Sequence, residues 1–194
     1  SVKAGLAGKT VFVSGGGGSI GSELCRQLAR VNPGCLVLFE RSEFNLYTVD
    51  QELRHEFPQL VLHACLGDVC DRVAVEHVME KYRPEVIFHA AAYKHVPMLE
   101  GQARETTRNN VIGTKVLALA ADKHGCGVFV MISTDKAVNP GNLMGASKRI
   151  AEAIVHNTAV KHGRNFVSVR FGNVLGSQGS VVPTFVRQIR EGGP

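Results

Sequence analysis

The chain of 194 residues lacks the features that mark several large classes of protein. It has no apolar run approaching the roughly twenty residues that cross a bilayer, so no membrane-spanning segment is predicted within it. Its 22 Lys and Arg residues are spread along the chain, without a basic block or an aromatic nucleic-acid-binding signature. These absences argue against a nucleic-acid partner, and the net charge of +5 suits either an anionic small substrate or an ordinary solvated surface.

Cysteine is too sparse and too irregularly spaced for a disulfide framework or a zinc knuckle. The 5 cysteines are odd in number, and no two of them are spaced as C-x-x-C. His63 and Cys65 could suggest metal ligands, but both belong to an alternating apolar pattern that is typical of a strand, so packing is the preferred interpretation. We therefore predict a protein of a reducing compartment with no metal site.

The composition and the pattern of apolar residues indicate one α/β domain. A hydrophobic content of 44% lets 194 residues bury a full core, so residues 1–194 are expected to form a single domain. The alternation of short apolar runs with longer amphipathic stretches predicts a parallel sheet that is doubly wound, with helices on both faces. The predicted strands are Thr10–Val13, Cys35–Phe39, Leu60–Ala64, Val86–His89, Val128–Ser133 and Phe166–Arg170, and the predicted helices are Ile20–Val31, Ser42–Glu56, Arg72–Tyr82, Thr107–His124 and Leu143–His162, with Ser42 as an N-cap.

A glycine-rich turn follows the first predicted strand and opens the first predicted helix. Glycines are needed where a strand turns sharply and where a pyrophosphate must approach bare main chain. The N–H groups and the dipole of the helix would hold the anion. Because the turn lies between a strand and a helix, it predicts a dinucleotide site whose contacts are Gly15, Gly18, Ser19, Ile20 and Gly21.

An acidic residue stands where such sites bind the adenosine ribose. Glu40 ends the second strand, 19 residues after Gly21, and its carboxylate can accept both ribose hydroxyls. A carboxylate there repels a 2′-phosphate, which favours NAD, whereas Arg41 keeps NADP as the less favoured option. Asp68 and Val69 end the third strand, where Asp68 can either accept the adenine amino group or serve as a turn carboxylate.

A tyrosine is missing from the helix that would carry the catalytic lysine. In the layout of a short-chain dehydrogenase, the position four before this lysine is Tyr, whose phenol acts as a base when a nearby ammonium lowers its pKa. Here that position is Met144, before Lys148, and a thioether cannot carry a proton. Thr134, Asp135 and Lys136, which follow the fifth strand, offer a hydroxyl, an acid and a base instead.

Four further motifs resemble one family closely. They are His89-Ala-Ala-Ala-Tyr-Lys-His-Val-Pro97, Asn110-Val-Ile-Gly-Thr114, Ile132-Ser-Thr-Asp-Lys-Ala-Val-Asn-Pro140 and Arg170-Phe-Gly-Asn-Val-Leu-Gly-Ser177. With the glycine turn, they resemble the UDP-N-acetylglucosamine 4,6-dehydratases, which are extended short-chain dehydrogenase/reductases of bacterial surface-polysaccharide synthesis. The resemblance implies an NAD-binding Rossmann fold, a UDP-sugar substrate that is converted to a UDP-4-keto-6-deoxy-hexosamine, and a homo-oligomer.

The Met-x-x-x-Lys form resembles the large, membrane-anchored members of that family. This resemblance implies transmembrane helices ahead of Ser1 and a location on the cytoplasmic side of the bacterial inner membrane. It also implies a small substrate-binding domain after Pro194. On this view, residues 1–194 are the Rossmann domain with the start of the substrate-binding region.

The residues after the fifth strand suit the chemistry of a dehydratase. Lys136 is expected to remove the C5 hydrogen of the sugar if neighbours lower its pKa, and Asp135 to protonate the departing 6-hydroxyl if it is kept protonated. The family resemblance assigns the same pair. Thr134 is the nearest hydroxyl that can relay the 4-hydroxyl proton, and Lys148 is expected to hold the nicotinamide ribose.

Other candidate residues lie in the loops after the strands. Small side chains after the fourth strand would admit the cofactor, and an ammonium there can meet phosphate or substrate. The cofactor candidates are Ala90, Ala91 and Lys94, and the substrate candidates are Lys94, Asn173 and Ser180. The residues expected to be structural are His89, His95 and Asn110, the last as a brace of the main chain.

Three other functions stay open on the sequence. A nucleotide-sugar 4-epimerase shares the glycine turn but does not need a neighbouring acid and base, so Asp135 and Lys136 disfavour it. A non-catalytic NAD(P) sensor could have lost the tyrosine, and it would bind the dinucleotide without turning over a sugar. A structural scaffold that binds nothing would suit alanine-rich turns better than glycine-rich ones.

Overall fold

The computed structural model describes residues 2–172, 174, 185 and 188–192, and within them the chain forms a six-stranded sheet. Every neighbouring pair of strands is parallel, and the spatial order is β3-β2-β1-β4-β5-β6. The strands are β1 Thr10–Ser14, β2 Cys35–Glu40, β3 Leu62–Leu66, β4 Val86–His89, β5 Val128–Thr134 and β6 Asn165–Phe171. The prediction of a doubly wound parallel sheet is confirmed.

Helices connect the strands, and polar side chains fix where three of the long helices begin. The helices are α1 Val2–Leu6, α2 Ser19–Val31, α3 Glu43–Glu56, α4 Arg72–Tyr82, α5 Val96–Leu99, α6 Ala103–Thr106, α7 Gly113–Lys123 and α8 Leu143–His162; a π-helical segment, Thr107–Ile112, joins α6 to α7, and a 3-10 turn, Asp135–Ala137, follows β5. Ser42 caps α3 as predicted, Asp71 caps α4, and Asn142 caps α8.

Both faces of the sheet are buried, because alternate residues of a strand point to opposite sides. Val11 and Val13 pack with α1, α2 and α3 on one face, whereas Phe12 packs with α4, α7 and α8 on the other. All three side chains are fully shielded from solvent. The near-continuous apolar strands of the sequence are explained by this two-sided cover.

The strand order reverses between β1 and β4. Strands β1 to β3 extend to one side of this point, and β4 to β6 extend to the other. Ligands of open α/β sheets bind in the crevice outside the carboxyl ends of the strands at such a reversal. The fold therefore brings the loops after β1 and β4 together as the walls of a candidate site.

Three features of the secondary structure differ from the predictions. The third strand begins at Leu62 and not at Leu60, because the N–H of Leu60 closes a turn onto the carbonyl of Phe57 at 3.0 Å. The helix predicted to start at Thr107 is longer, since α6 and the π-helical segment precede α7. The short helices α1 and α5 were not predicted, because four or five residues carry no recognisable periodicity.

The described part of the chain offers neither a membrane span nor a metal site. None of its helices combines the length and the apolarity that crossing a bilayer requires. Within the same residues, no three His, Cys, Asp or Glu side chains are grouped as metal ligands. The five cysteines are free thiols.

Candidate active site

The glycine turn between β1 and α2 is held by its own main chain. Gly15 has a φ of 68°, which would strain a side chain, and its N–H donates to the carbonyl of Phe39 at 2.8 Å. The N–H of Gly18 donates to the carbonyl of Gly15 at 3.0 Å. Gly21 packs so closely in the first turn of α2 that a Cβ would lie 1.9 Å from that same carbonyl oxygen. The turn therefore requires glycine at positions 15 and 21.

The same turn forms a bare groove that fits an anion. Gly18 is the N-cap of α2 and provides no side-chain hydrogen bond to the first helical turn. The N–H groups and dipole at a helix N-terminus attract phosphate. On the other side of the groove, a Cβ on Gly15 would lie 2.6 Å from the nitrogen of Ala91. Gly15, Gly18 and Ala91 all line the cleft, so the start of α2 and the loop after β4 meet there.

Glu40 is fixed beside the groove by main-chain donors. Its side chain is nearly buried, and Oε1 accepts the N–H groups of Arg41 and Ser42 at 2.9 Å each. Oε2 accepts the N–H of Gly17 at 3.1 Å. The carboxylate is therefore pre-oriented next to the glycine turn, in the position predicted for the adenosine ribose.

Asp68 serves as a turn carboxylate and as half of an ion pair. It accepts the N–H of Cys70 at 2.8 Å and the guanidinium of Arg108 at 3.1 Å. Burial raises the pKa of Asp68, but the hydrogen bonds to Cys70 and the charge of Arg108 outweigh it, so the pKa lies below its usual value. Asp68 therefore does act as a turn carboxylate, which was one of the two roles considered from the sequence. It also lines the cleft.

The cleft gathers most of the predicted cofactor residues from the ends of four strands. Arg41 projects over the ring of Tyr93 at 4.7 Å, so the loops after β2 and β4 meet across the glycine turn. Lys94 is exposed beside this cleft, and Ser19 and Ile20 lie at the start of α2. The predicted residues that line the cleft are Gly15, Gly18, Glu40, Arg41, Asp68, Val69, Ala90 and Ala91, and those that were not predicted are Phe39, Ser42, Asn45, Gly67, Ala92, Tyr93 and Asn109.

Thr134, Asp135 and Lys136 form a connected group at the end of β5. The hydroxyl of Thr134 donates to Oδ1 of Asp135 at 2.9 Å, and Nζ of Lys136 donates to the same oxygen at 3.2 Å. The hydrogen bond from Thr134 and then that from Lys136 lower the pKa of Asp135. A protonated Asp135 was the condition for its proposed role as the acid, and in the protein without ligand its neighbours instead stabilise the carboxylate.

The start of α8 packs directly against this group. A Cβ on Gly145 would lie 2.3 Å from the carbonyl oxygen of Lys136, so only glycine permits this approach. Met144, the residue predicted to stand in place of the phenol, is 5% exposed. One turn further on, Nζ of Lys148 donates to the carbonyl of Ile132 at 2.6 Å. Burial lowers the pKa of Lys148 to about 8, against the attraction of Glu152.

A buried carboxylate that the sequence did not reveal lies behind these residues. Glu152 in α8 accepts the hydroxyl of Ser133 and the guanidinium of Arg170. Burial raises the pKa of Glu152, but the hydrogen bonds from Arg170 and Ser133 outweigh it, so the carboxylate is charged. The three residues are far apart in the sequence, and Glu152 by itself looks like an ordinary helix residue.

His89 is a neutral brace in the core, as predicted. The hydroxyl of Thr114 donates to the carbonyl of Asn110 at 2.7 Å, so it can only accept from Nε2 of His89, at 2.8 Å. Nδ1 then carries no proton and accepts the hydroxyl of Ser14 at 2.7 Å. Burial, and then the charge of Lys148, lower the pKa of His89 to about 3.

Asn110 braces the main chain, which confirms its predicted role. Its Oδ1 accepts the N–H of Tyr93 at 2.8 Å, and its Nδ2 donates to the carbonyl of Tyr93 at 3.1 Å and to the hydroxyl of Ser147 at 3.0 Å. The π-helical segment thus ties the loop after β4 to α8. His95 is exposed at the start of α5, and the predicted substrate residues Asn173 and Ser180 lie outside the described residues.

The strand order, the glycine turn and the lysine-bearing α8 beside the end of β5 define the class: a Rossmann fold of the extended short-chain dehydrogenase/reductase type. Within that class, residues 11–194 match the sequence profile of one family, which is described as polysaccharide biosynthesis protein. The chain belongs to this family.

Curated relatives carry the names of biosynthetic proteins and nucleotide-sugar enzymes. The probable polysaccharide biosynthesis protein EpsC of Bacillus subtilis is 50% identical over 97% of this chain and 32% of EpsC. The UDP-N-acetylglucosamine 4,6-dehydratase (inverting) of Campylobacter jejuni is 32% identical over 95% of this chain and 55% of that enzyme. The UDP-glucose 4-epimerase of Rickettsia canadensis is 32% identical over 95% of this chain and 54% of that enzyme. The chain therefore spans between a third and about half of the length of these relatives.

Solved structures share the fold. The X-ray structure of Pen from Bacillus thuringiensis superimposes with a TM-score of 0.87 at 34% identity, covering 96% of this chain and 57% of Pen. The UDP-glucose 4-epimerase from Brucella ovis, solved in complex with NAD, superimposes with a TM-score of 0.72 at 26% identity, covering 85% of this chain and 52% of the epimerase.

Proposed function

We propose that the protein is an NAD-dependent nucleotide-sugar 4,6-dehydratase that converts UDP-N-acetylglucosamine into a UDP-4-keto-6-deoxy-hexosamine for surface-polysaccharide biosynthesis. The observation that carries this proposal is the contact of Asp135 with Lys136, 3.2 Å apart at the end of β5, while apolar Met144 fills the place of a phenol. Loss of water needs an acid and a base side by side. The relative from Campylobacter jejuni supports this choice of substrate and reaction.

NAD is the cofactor that the site suits best. The bare groove at Gly15 and Gly18 would hold the pyrophosphate, and Glu40 would accept the adenosine ribose hydroxyls. Because main-chain donors hold the Glu40 carboxylate at this place, a 2′-phosphate would be repelled. The NAD complex of the Brucella ovis relative supports the same choice. Lys148 would hold the nicotinamide ribose.

The connected group after β5 can move the protons that a dehydratase requires. When bound, the nicotinamide takes a hydride from C4 of the sugar and returns it to C6. Thr134 would accept the 4-hydroxyl proton and pass its own proton to Asp135, along the 2.9 Å hydrogen bond. This relay leaves Asp135 protonated, although the ligand-free carboxyl is ionised, so Asp135 becomes the acid that releases the 6-hydroxyl as water.

Lys136 would be the base that removes the C5 hydrogen. As the base, Lys136 would act as the neutral amine, so its ammonium would first give a proton to solvent. The neutral amine then takes the C5 proton and returns it to C5 when the sugar is reduced at C6. Lys136 finally takes a proton back from solvent and Asp135 is again a carboxylate, so one turnover leaves both side chains as they began.

A nucleotide-sugar 4-epimerase is the second candidate, because the relative from Rickettsia canadensis is as similar as the dehydratase. An epimerase removes the hydride from C4, returns it to the opposite face of the same carbon and loses no water, so it has no use for an acid and a base at C5 and C6. Asp135 and Lys136 therefore favour the dehydratase. Assembly into a homo-oligomer, and attachment to the cytoplasmic side of the inner membrane, stay predictions from the family resemblance.

Sugar deuterated at C4 tests the proposal directly. We expect the full-length protein to convert UDP-N-acetylglucosamine labelled at C4 into a 4-keto-6-deoxy product with deuterium at C6, without net release of NADH, as measured by mass spectrometry and NMR. Deuterium in free NADH would contradict the dehydratase mechanism. Deuterium retained at C4 of an epimerised sugar would identify the epimerase instead.

A further inference from the structure

Glu152 joins three elements at the edge of the sheet where the candidate catalytic residues begin. Its carboxylate is 7% exposed and accepts the hydroxyl of Ser133 at 2.5 Å. The same carboxylate accepts Nε and Nη2 of Arg170 at 2.9 and 2.6 Å. Ser133 and Arg170 are register partners on β5 and β6. One side chain therefore fixes α8 to the ends of both strands.

Lys148 and Glu152 together hold two consecutive residues of β5. They lie one helical turn apart in α8, so they project from the same side of the helix. Lys148 donates to the carbonyl of Ile132 at 2.6 Å, and Glu152 accepts from Ser133. The next residue is Thr134, where the proposed proton relay starts. A shift of α8 along β5 would therefore displace the relay and the lysine relative to each other.

We propose that Glu152 is a positioning residue that holds Lys148 and the end of β5 in fixed relation to each other. The inference deepens the proposed function and rests on it for the roles of Lys148 and of the segment after β5. Glu152 touches neither sugar nor cofactor on this view. It acts through Ser133 and Arg170.

The pKa of Lys148 distinguishes this positioning role from a general loss of packing. Lys148 is buried, and the negative charge of Glu152 favours its ammonium form. Arg170 opposes that effect, because its positive charge neutralises the same carboxylate. Among the described residues, the other groups that act on this pair are Arg149 of α8, which lies 3.6 Å from the same carboxylate, and His89 of β4, which is neutral. Removing Glu152 and removing Arg170 should therefore change the titration of Lys148 in opposite directions.

NMR titration of the Lys148 side chain in full-length, ligand-free protein tests the inference. Lysine labelled at Cε supplies the signal, and the spectrum of the Lys148→Arg variant assigns it. We expect a midpoint of about 8 in the unaltered protein. Glu152→Gln should lower the midpoint by about one pH unit, because an opposite charge at close range is lost. Arg170→Gln, on the outer strand β6, should raise it.

Asp122 supplies a matched control at the opposite end of α8. Its carboxylate accepts Nε of Arg164 at 2.7 Å and joins α7 to the chain that follows α8. Asp122→Asn should lower the melting temperature but leave the Lys148 midpoint unchanged. If both site variants fold and their midpoints stay fixed, or shift in the same direction, the inference is overturned. Should Glu152→Gln fail to fold, the direction of the shift in Arg170→Gln alone decides.

Turnover provides the second readout. In a protein that dehydrates the sugar, Glu152→Gln should lower kcat by about 30- to 100-fold, because a displacement of about 1 Å can cost that much, and should leave NAD affinity within about threefold. An unchanged kcat would overturn the positioning role. The titration needs neither sugar nor cofactor, so a protein without dehydratase activity would refute the proposed function while the role of Glu152 is still measured.

Discussion

The two halves of the proposed site are built in different ways. The half between β2 and β4 is shaped by main chain: Gly15 and Gly21 permit the close turn, and three N–H groups fix Glu40. The half after β5 is shaped by side chains, in which Lys136 pairs with Asp135 and Lys148 reaches the carbonyl of Ile132. The first half is built from loops at the ends of β1, β2 and β4, and the second from side chains of the 3-10 turn and α8.

This difference separates binding from chemistry. A main-chain groove offers donors and space but holds no proton that it can exchange, so it can bind an anion and orient it. Side chains that titrate can move protons, but each needs neighbours that set its charge and position. We therefore expect substitutions in the first half to lower the affinity for the cofactor. Substitutions in the second half should stop turnover while the cofactor stays bound.

The largest expected effect is in the side-chain half. Lys136→Ala should lower turnover of the full-length protein by about a thousandfold, because a positioned base is lost, while NAD affinity by calorimetry stays within about twofold. Lys161→Ala removes an exposed lysine at the far end of helix α8, serves as the control and should change neither quantity. A normal rate in Lys136→Ala would remove Lys136 from the chemistry.

The second-largest effect is expected from a substitution that distorts the glycine turn of the main-chain half. Gly21→Ala should weaken NAD binding by about a hundredfold and destabilise the fold by about 2 kcal/mol, because the new Cβ would lie 1.9 Å from the oxygen of Gly15 and the turn must open. Calorimetry and thermal unfolding measure the two quantities. Gly5→Ala is the matched control, since it lies in helix α1 with no atom within 4 Å of its Cβ position. Equal NAD affinities of the two variants would show that the glycine turn does not bind the cofactor.

The smallest effect is expected from a substitution at Glu40, which tests how the main-chain half distinguishes NAD from NADP. Glu40→Gln keeps the shape of the side chain but removes the charge that would repel a 2′-phosphate. We expect NAD affinity to fall about tenfold and the preference for NAD over NADP to narrow. Glu43→Gln removes an exposed carboxylate three residues further on and should leave both affinities unchanged. An unaltered NAD-to-NADP ratio in Glu40→Gln would place the adenosine ribose elsewhere.

Local patterns predicted the glycine turn and Glu40 of the main-chain half, but not all of the residues that line its cleft. The glycine spacing and Glu40 at the end of β2 are short-range signals, because a tight turn and a strand end depend on adjacent residues. Sequence reasoning failed where a tertiary contact changed a local preference. Leu60 closes a turn after α3 although its neighbours alternate like a strand, and the π-helical segment before α7 leaves no periodic mark that distinguishes it from an ordinary helix.

The side-chain half shows a different limit of the sequence. Its motif placed an acid, a base and a hydroxyl together, but their charge states depend on distances that no motif contains. The role of Asp135 as an acid required it to be protonated, but Thr134 and Lys136 approach it closely enough to favour the carboxylate. The contact of the Arg41 guanidinium with the ring of Tyr93 was not predicted, and neither were the buried hydrogen bonds of Glu152. In both cases the partner residues lie on other elements.

The sequence by itself determined the alternation of strands and helices, the glycine turn and the residue types available for proton transfer, because these depend on local sterics and on the chemistry of single side chains. Only the tertiary structure decided which of these residues meet, how deeply Lys148 and Glu152 are buried, and therefore which groups carry charge. Burial and distance set the electrostatic free energy of each group, and both arise only when residues distant in sequence pack together.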